Sequence, residues 1–151
     1  MSAITTDAQM REAISEMDIP RQRALAARFI EHVLELSGDE RVGRAVETAA
    51  SPDAEESQLS NALRGAKAAA LDAHARCGAD GEWTDQAGYF VARAAEAAVA
   101  PQVRSHGRGP AWQAALSCRM ARTAQTTETD EDAHDSESQA QYRILNDYLN
   151  A

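Results

Sequence analysis

Apolar residues recur every three or four positions along most of this chain, which is the spacing of helices that bury one face. The most regular run consists of Leu59, Leu63, Ala66, Ala70, Ala73 and Cys77, separated alternately by four and three residues. Gly, Pro and β-branched residues are scarce inside the periodic segments, which argues against a β-sheet protein. The pattern therefore predicts an all-α fold.

Helix caps and helix breakers divide this pattern into separate elements. Thr6 and Gln9 have the spacing of a capping box, Pro20 suits the first turn of a helix, and Asp39 is a good N-cap. We predict helices over residues 7–17, 20–36, 39–50, 53–78, 84–100, 110–124 and 138–149. This order predicts a single-domain, all-α bundle of about six or seven helices that spans residues 1–151.

Residues 125–137 interrupt the helical pattern. They are polar, acidic and without periodicity, so we predict a mobile acidic loop there. Thr84 is expected to cap the helix that follows Trp83, and Pro110 to open the helix before the loop. The C-terminal helix then closes over the bundle.

Alanine accounts for roughly one residue in five, which changes the meaning of the 44% hydrophobic content. Alanine is the best helix former but buries little apolar area. We therefore expect closely approaching helices more than a core of large side chains.

The formal net charge of -9 disfavours nucleic acid as a partner, because phosphate contacts need clustered cations. No stretch approaches the ~18 consecutive apolar residues of a membrane span. The N-terminal segment is acidic and lacks the apolar run of a secretory signal, and two cysteines make no disulfide scaffold. A cytoplasmic protein without membrane attachment is the expectation.

Charge is unevenly distributed over the last third of the chain. Five arginines and one acid lie between positions 93 and 122, whereas positions 123–142 hold six acids and no base. Either the acidic tract folds back against the arginines or stays solvated, or one of these patches binds a partner. The sequence leaves these alternatives open.

Few residues have a spacing that would support chemistry. His74 and Cys77 lie three positions apart on one predicted helix, and only His106 and Cys118 offer a second ligand pair for zinc. A thiolate nucleophile at Cys77 would need a third group beside His74, and none accompanies the pair. We expect no catalytic residues.

A second acidic and histidine-bearing segment, Glu31-His32 with Glu35, lacks the Glu-x-x-His motif of di-metal bundles. A solvated charged face is the preferred interpretation. We therefore expect neither a metal site nor a cofactor.

Five residues are candidates for binding a partner. Aromatic anchors dominate interface energetics, and basic residues in a glycine- and proline-containing turn can contact an anionic partner. The candidates are Trp83, Arg104, His106, Arg108 and Trp112.

The order of several segments resembles a group of alanine-rich, all-helical bacterial immunity proteins. The segments are RQRALAARFIEHVLEL, GDERVGRAVETAA, AKAAALDAHARC, DQAGYFVARAAEAAVAPQV, PAWQAALSCRMARTA and SQAQYRILNDYL, within residues 21–149. The longer SHGRGP turn and residues 125–137 depart from the group. The resemblance implies a stoichiometric binder that neutralises a toxin made by the same cell, and it assigns no functional residue.

These observations lead to one functional expectation and one alternative. We expect a non-catalytic, protein-binding helical domain of the immunity type, whose acidic surface captures a basic cognate protein toxin. The alternative is a small-molecule or metal-binding helical bundle that uses the neighbourhoods of His32, His74 and Cys77. Self-association into a homo-oligomer stays open.

Overall fold

The computed structural model of the chain describes residues 3–80, 83–101, 109–125 and 133–150. Within these residues it has seven α-helices, one 3₁₀ turn and no β-strand. The elements are α1 (Asp7–Ser15), α2 (Ile19–Glu31), the 3₁₀ turn (Leu34–Leu36), α3 (Glu40–Ala50), α4 (Glu56–Asp80), α5 (Trp83–Val99), α6 (Gly109–Gln125) and α7 (Ala133–Leu149). The predicted all-α bundle of six or seven helices is confirmed.

The helix starts in the first third of the chain follow from capping side chains. The Thr6 side chain accepts a hydrogen bond from the Gln9 backbone N–H, and the Gln9 side-chain oxygen accepts one from the Thr6 backbone N–H, which completes the predicted capping box. Asp18 caps α2, with Pro20 in its first turn. Asp39 caps α3 as predicted and accepts the Arg41 backbone N–H at 2.9 Å.

The largest differences from the predicted helix boundaries are at the end of α2, predicted at residue 36, and at the start of α7, predicted at residue 138. Helix α2 ends at Glu31, and the Arg122 guanidinium donates to the free backbone carbonyl of His32 at 3.2 Å. Helix α7 begins at Ala133, so residues 133–137 are helical, and their assignment to a mobile loop was wrong. Gln125, at the other end of the predicted loop, is the last residue of α6, and residues 126–132 lie outside the described residues.

Helices α5 and α6 form the centre of the bundle. Helix α5 packs most closely against α6 and α4, and it also contacts α2 and α3. Helix α6 in turn carries α2, α7 and α1. Polar side chains of α6 can therefore form hydrogen bonds with residues of α1, α2 and α7.

The core has two parts with different side-chain sizes. Helices α1 to α3 contribute the larger buried side chains, which include Met10, Ile14, Leu25, Phe29, Ile30 and Val42. Helices α4 to α6 bury mostly alanines, which include Ala66, Ala70, Ala94, Ala98, Ala111 and Ala115. Small side chains allow close helix approach but bury little area, as the composition predicts.

Gly109 starts α6 in a backbone conformation that only glycine adopts readily. Its φ of 75° lies in the left-handed region. A Cβ atom there would also collide with the side-chain oxygen of Gln22. The Gln22 amide nitrogen donates to the carbonyls of Ile14 and Met17 at 3.2 Å, so this close approach joins the end of α1 to α2 and α6.

Arg119 lies inside the bundle with 1% of its side chain exposed. Its guanidinium forms a two-pronged ion pair with Asp7 on α1, at 3.0 and 2.8 Å, and donates to Oε1 of Gln141 on α7 at 2.8 Å. The Tyr142 hydroxyl also donates to Asp7, at 2.7 Å. One buried cation thus connects α1, α6 and α7.

A second contact joins the N-terminal segment to the last helix. The Asn146 side chain accepts the Ile4 backbone N–H at 2.9 Å and donates to the Ile4 carbonyl at 3.2 Å. This reciprocal pair extends the α1–α7 connection beyond the Arg119 contacts.

Replacing Arg119 is expected to destabilise the fold strongly. Arg119→Ala opens a cavity and leaves the buried Gln141 oxygen without its donor, so the free energy of unfolding should fall by about 2–4 kcal/mol. Urea unfolding followed by circular dichroism measures this loss. The exposed Arg143 provides the matched control, and Arg143→Ala should cost less than about 0.5 kcal/mol. Equal losses in the two variants would contradict the structural role of Arg119.

The same ion pair makes stability depend on pH. The hydrogen bond from Arg119 lowers the pKa of Asp7, against the opposing effect of burial, and Tyr142 adds a second hydrogen bond. A lowered pKa in the folded state stabilises the fold above the ordinary Asp value of about 3.9, and this contribution disappears as the pH falls through the lowered pKa.

We therefore expect Asp7→Asn to cost on the order of 1 kcal/mol at neutral pH, since solvent screens the partly exposed Asp7. The difference from the unmodified chain should shrink toward about pH 2. Urea unfolding of both proteins across this range measures it, and a difference that is independent of pH would refute the assignment.

Candidate functional site

Trp112, one of the predicted binding residues, lies in the first turn of α6 with 6% of its surface exposed. The guanidinium groups of Arg11 and Arg119 both lie over its indole ring, with their Cζ atoms 5.3 and 5.5 Å from the ring centroid. In such cation–π contacts the negative face of the aromatic ring attracts the guanidinium charge. In this position Trp112 supports the α1–α6 contact and offers little surface to a partner.

The other four predicted binding residues cannot be placed in a surface. Trp83 is the first residue of α5, and its side chain lies outside the described part of the structure. Arg104, His106 and Arg108 also lie outside the described residues. A binding role for this set stays a prediction.

His32, whose side chain is 42% exposed, belongs to a polar cluster around a buried carboxylate that the sequence did not reveal. Its Nδ1 atom is 2.8 Å from a carboxylate oxygen of Glu137, which is 1% exposed. Arg122 donates from Nε to the other Glu137 oxygen at 3.0 Å. Glu137 is the last acid of the acidic tract, so at this point the tract does fold back onto an arginine.

The cluster of His32, Arg122 and Glu137 has a structural explanation. A buried carboxylate needs compensating charge, and Arg122 provides it while also binding the His32 carbonyl. The three residues come from the end of α2, from α6 and from α7. They therefore hold three elements together, and the hydrogen bond to Glu137 occupies one nitrogen of the His32 ring.

Metal-binding groups are not assembled in the part of the chain that the structure describes. There, no three His, Cys, Asp or Glu side chains form a group that could hold a metal ion. His74 is exposed and its ring packs at 5.5 Å from that of Tyr89. Of the two His–Cys pairs considered for zinc, the side chain of Cys77 and the whole of His106 lie outside the described residues.

Cys118 is fully buried in α6, and burial raises the pKa of its thiol far above the ordinary range. The reactive form of cysteine is the thiolate, which this environment disfavours. Cys118 is therefore a packing residue.

An open cavity lies between the 3₁₀ turn, the start of α3, and the sides of α4 and α5. We call it the α3 cleft; its volume is about 690 Å³. Its charged lining consists of Glu35, Asp39, Glu40, Asp85, Arg41, Arg44 and Arg76. Carboxylates outnumber arginines in this lining.

Two of these arginines are already paired inside the cleft. Arg41 bonds Asp39 at 2.6 Å and Asp72 at 2.8 Å. The first of these bonds lowers the pKa of Asp39, and both raise the pKa of Arg41. Arg76 pairs with Asp85 at 3.0 Å. The positive charge of these arginines is thereby compensated.

The remaining charges of the cleft are exposed. Glu35 and Glu40 face solvent at its edge, together with Arg44. Glu35 lies 3.7 Å from Arg122 at its closest, which is a weak surface contact. The rim of the α3 cleft therefore presents carboxylates to an approaching molecule.

Comparison of the chain with protein-family models, curated proteins and solved structures finds no match. Across residues 3–80, 83–101, 109–125 and 133–150, none of the helices combines the length and apolarity needed to cross a bilayer. Any functional assignment must therefore come from the surfaces just described.

The burial of Cys118 predicts slow chemical modification. In a Cys77→Ser background, a thiol reagent such as Ellman's reagent should label Cys118 only as fast as the protein unfolds. Labelling followed by absorbance, with and without urea, measures this. Rapid labelling of the folded protein would show that Cys118 is accessible.

Proposed function

We propose that this chain is a non-catalytic protein-binding domain of the immunity type, which neutralises a cognate protein toxin by covering a basic surface. The observation that carries the proposal is the α3 cleft, a large concavity in which Arg41 and Arg76 are paired with carboxylates. Its edge carries the exposed carboxylates of Glu35 and Glu40 and the guanidinium of Arg44. The resemblance of segments within residues 21–149 to immunity proteins supports the same function.

Electrostatics supports a basic partner. With a net charge of -9, the chain attracts cations over distances of about one Debye length, roughly 8–10 Å at physiological salt. Complementary charge accelerates association and disfavours acidic partners. The α3 cleft is the concave surface on which such a basic partner docks.

The polar clusters of the described residues support a role without catalysis. Arg119 is bonded to Asp7 and Gln141, and Glu137 to Arg122 and His32, so these groups bind neighbouring helices. A binding domain needs this kind of rigid framework, because a preordered surface loses less entropy on association.

The test is binding to the protein encoded beside the gene for this chain. We expect a 1:1 complex by size-exclusion chromatography with light scattering, and an affinity that weakens as salt rises from about 50 to about 300 mM. No complex at micromolar concentrations would refute the immunity assignment.

Charge neutralisation locates the binding surface. Glu35→Gln with Glu40→Gln should weaken the complex roughly 3- to 10-fold, because exposed charges contribute modestly to association. The matched control is Glu12→Gln with Glu16→Gln, which removes the same charge from exposed positions on or next to α1. Calorimetry on both variants measures the difference, and equal effects would move the interface away from the α3 cleft.

A second candidate function, the binding of small molecules, is favoured by a separate pocket on the other side of the α4–α5 pair.

A further inference from the structure

A pocket of about 300 Å³ opens on the outer side of the α4–α5 contact. We call it the α4–α5 pocket. Its lining shares no residue with that of the α3 cleft, and the two linings alternate along both helices, so the cavities lie on opposite sides of the helix pair. Six of its side chains matter for its chemistry: Lys67, Leu71, His74, Tyr89, Arg93 and Glu96.

One half of the pocket is apolar. Leu71 is 69% exposed, although contact between a leucine side chain and water is unfavourable. The Tyr89 ring, which also lines the pocket, contacts the His74 ring at 5.5 Å and the Phe90 ring at 5.2 Å, the latter in a T-shaped arrangement. An exposed leucine next to a positioned aromatic ring offers a preformed apolar surface.

The other half carries two cations. The Arg93 guanidinium lies 6.0 Å from the centroid of the Tyr89 ring, and its Nε atom is 3.5 Å from a Glu96 oxygen. That distance exceeds the roughly 2.7–2.9 Å of a charge-assisted hydrogen bond. Among the hydrogen bonds formed between described residues, none uses the side chain of Arg93 or Lys67.

The single carboxylate of the pocket, that of Glu96, is largely withdrawn from solvent. The Glu96 side chain is mostly buried; burial raises its pKa, while Arg93 and Lys67 act in the opposite direction. Two cations against one carboxylate leave this end with one positive charge in a strongly acidic chain. A monoanion balances that charge, whereas the second negative charge of a dianion is repelled by the Glu96 carboxylate.

The size of the pocket limits the ligand. A volume of about 300 Å³ lies at the lower end for small-molecule sites. A ligand of roughly a dozen non-hydrogen atoms fits, provided that one end is apolar and the other carries the charge.

We infer that the α4–α5 pocket binds a small monocarboxylate with an aromatic or aliphatic body. The body packs against Leu71 and Tyr89, and the carboxylate accepts hydrogen bonds from Lys67 and Arg93. This inference is independent of the proposed toxin-binding function, because it concerns the other side of the α4–α5 pair and is tested without a partner protein.

The experiment is a titration of the whole chain with 2-naphthoate, followed by calorimetry and by amide NMR shifts. We expect saturable 1:1 binding with a Kd of about 1 mM or tighter, with the largest shifts on α4 and α5. The neutral isostere 2-naphthalenemethanol should bind about tenfold more weakly, since it lacks the charge. The dianion 2-naphthyl phosphate should also bind more weakly, because it meets Glu96.

Variants test the named residues. Lys67→Gln should weaken 2-naphthoate binding about tenfold. The matched control Arg64→Gln removes one positive charge one turn earlier on α4 and should leave binding unchanged. Leu71→Ser tests the apolar half and should also weaken binding, and circular dichroism verifies that each variant is folded.

Three results would overturn the inference. The first is the absence of saturable 2-naphthoate binding, which would reduce Arg93 and Glu96 to a surface ion pair. The second is equal affinity for the alcohol and the carboxylate. The third is equal weakening by Lys67→Gln and Arg64→Gln, which would mean that net charge alone drives the binding.

Discussion

The guanidinium of Arg119 is buried beside Asp7, Met10, Trp112 and Gln141, where no bulk water solvates its charge. A buried cation of this kind is tolerated only when other groups replace its hydration. Asp7 on α1 and Gln141 on α7 do so. Hydrogen bonds are directional whereas contacts between methyl groups are not, so this requirement fixes where α1 and α7 lie on α6. The His32, Arg122 and Glu137 cluster applies the same principle three residues further along α6.

The alanine-rich helices have a further effect on the surface. Alanines at the α4–α5 contact bring the helix backbones together but cannot fill the space on either side of the contact line. Two cavities result, the α3 cleft on one side and the α4–α5 pocket on the other. Their rims differ in charge, with exposed carboxylates around the first and two cations in the second. The composition that defines the fold therefore also produces its concave surfaces.

Helix caps and apolar faces, whose partners lie nearby in the sequence, could be predicted. Contacts between residues that are far apart in the sequence could not. The Thr6 capping box, the Asp39 cap and the apolar faces could be predicted, because their partners lie within a few positions. The sequence left open whether the acidic tract folds back against the arginines or stays solvated, so the burial of Arg119 and Glu137 was not predicted. One signal for Arg119 existed: it follows Ala115 by four positions, in the buried stripe of α6. The α3 cleft and the α4–α5 pocket could not be predicted, because they arise from how helices sit beside each other.

The hydrogen bonds between Ile4 and Asn146 join residues that are 142 positions apart. During synthesis on a ribosome, α1 emerges long before α7, and its buried residues Met10 and Ile14 are without their final cover in the meantime. Closing so long a loop costs entropy that only the completed set of contacts repays. The contacts of Ile4 and Asp7 with Asn146 and Tyr142 therefore form only after the last helix has been synthesised.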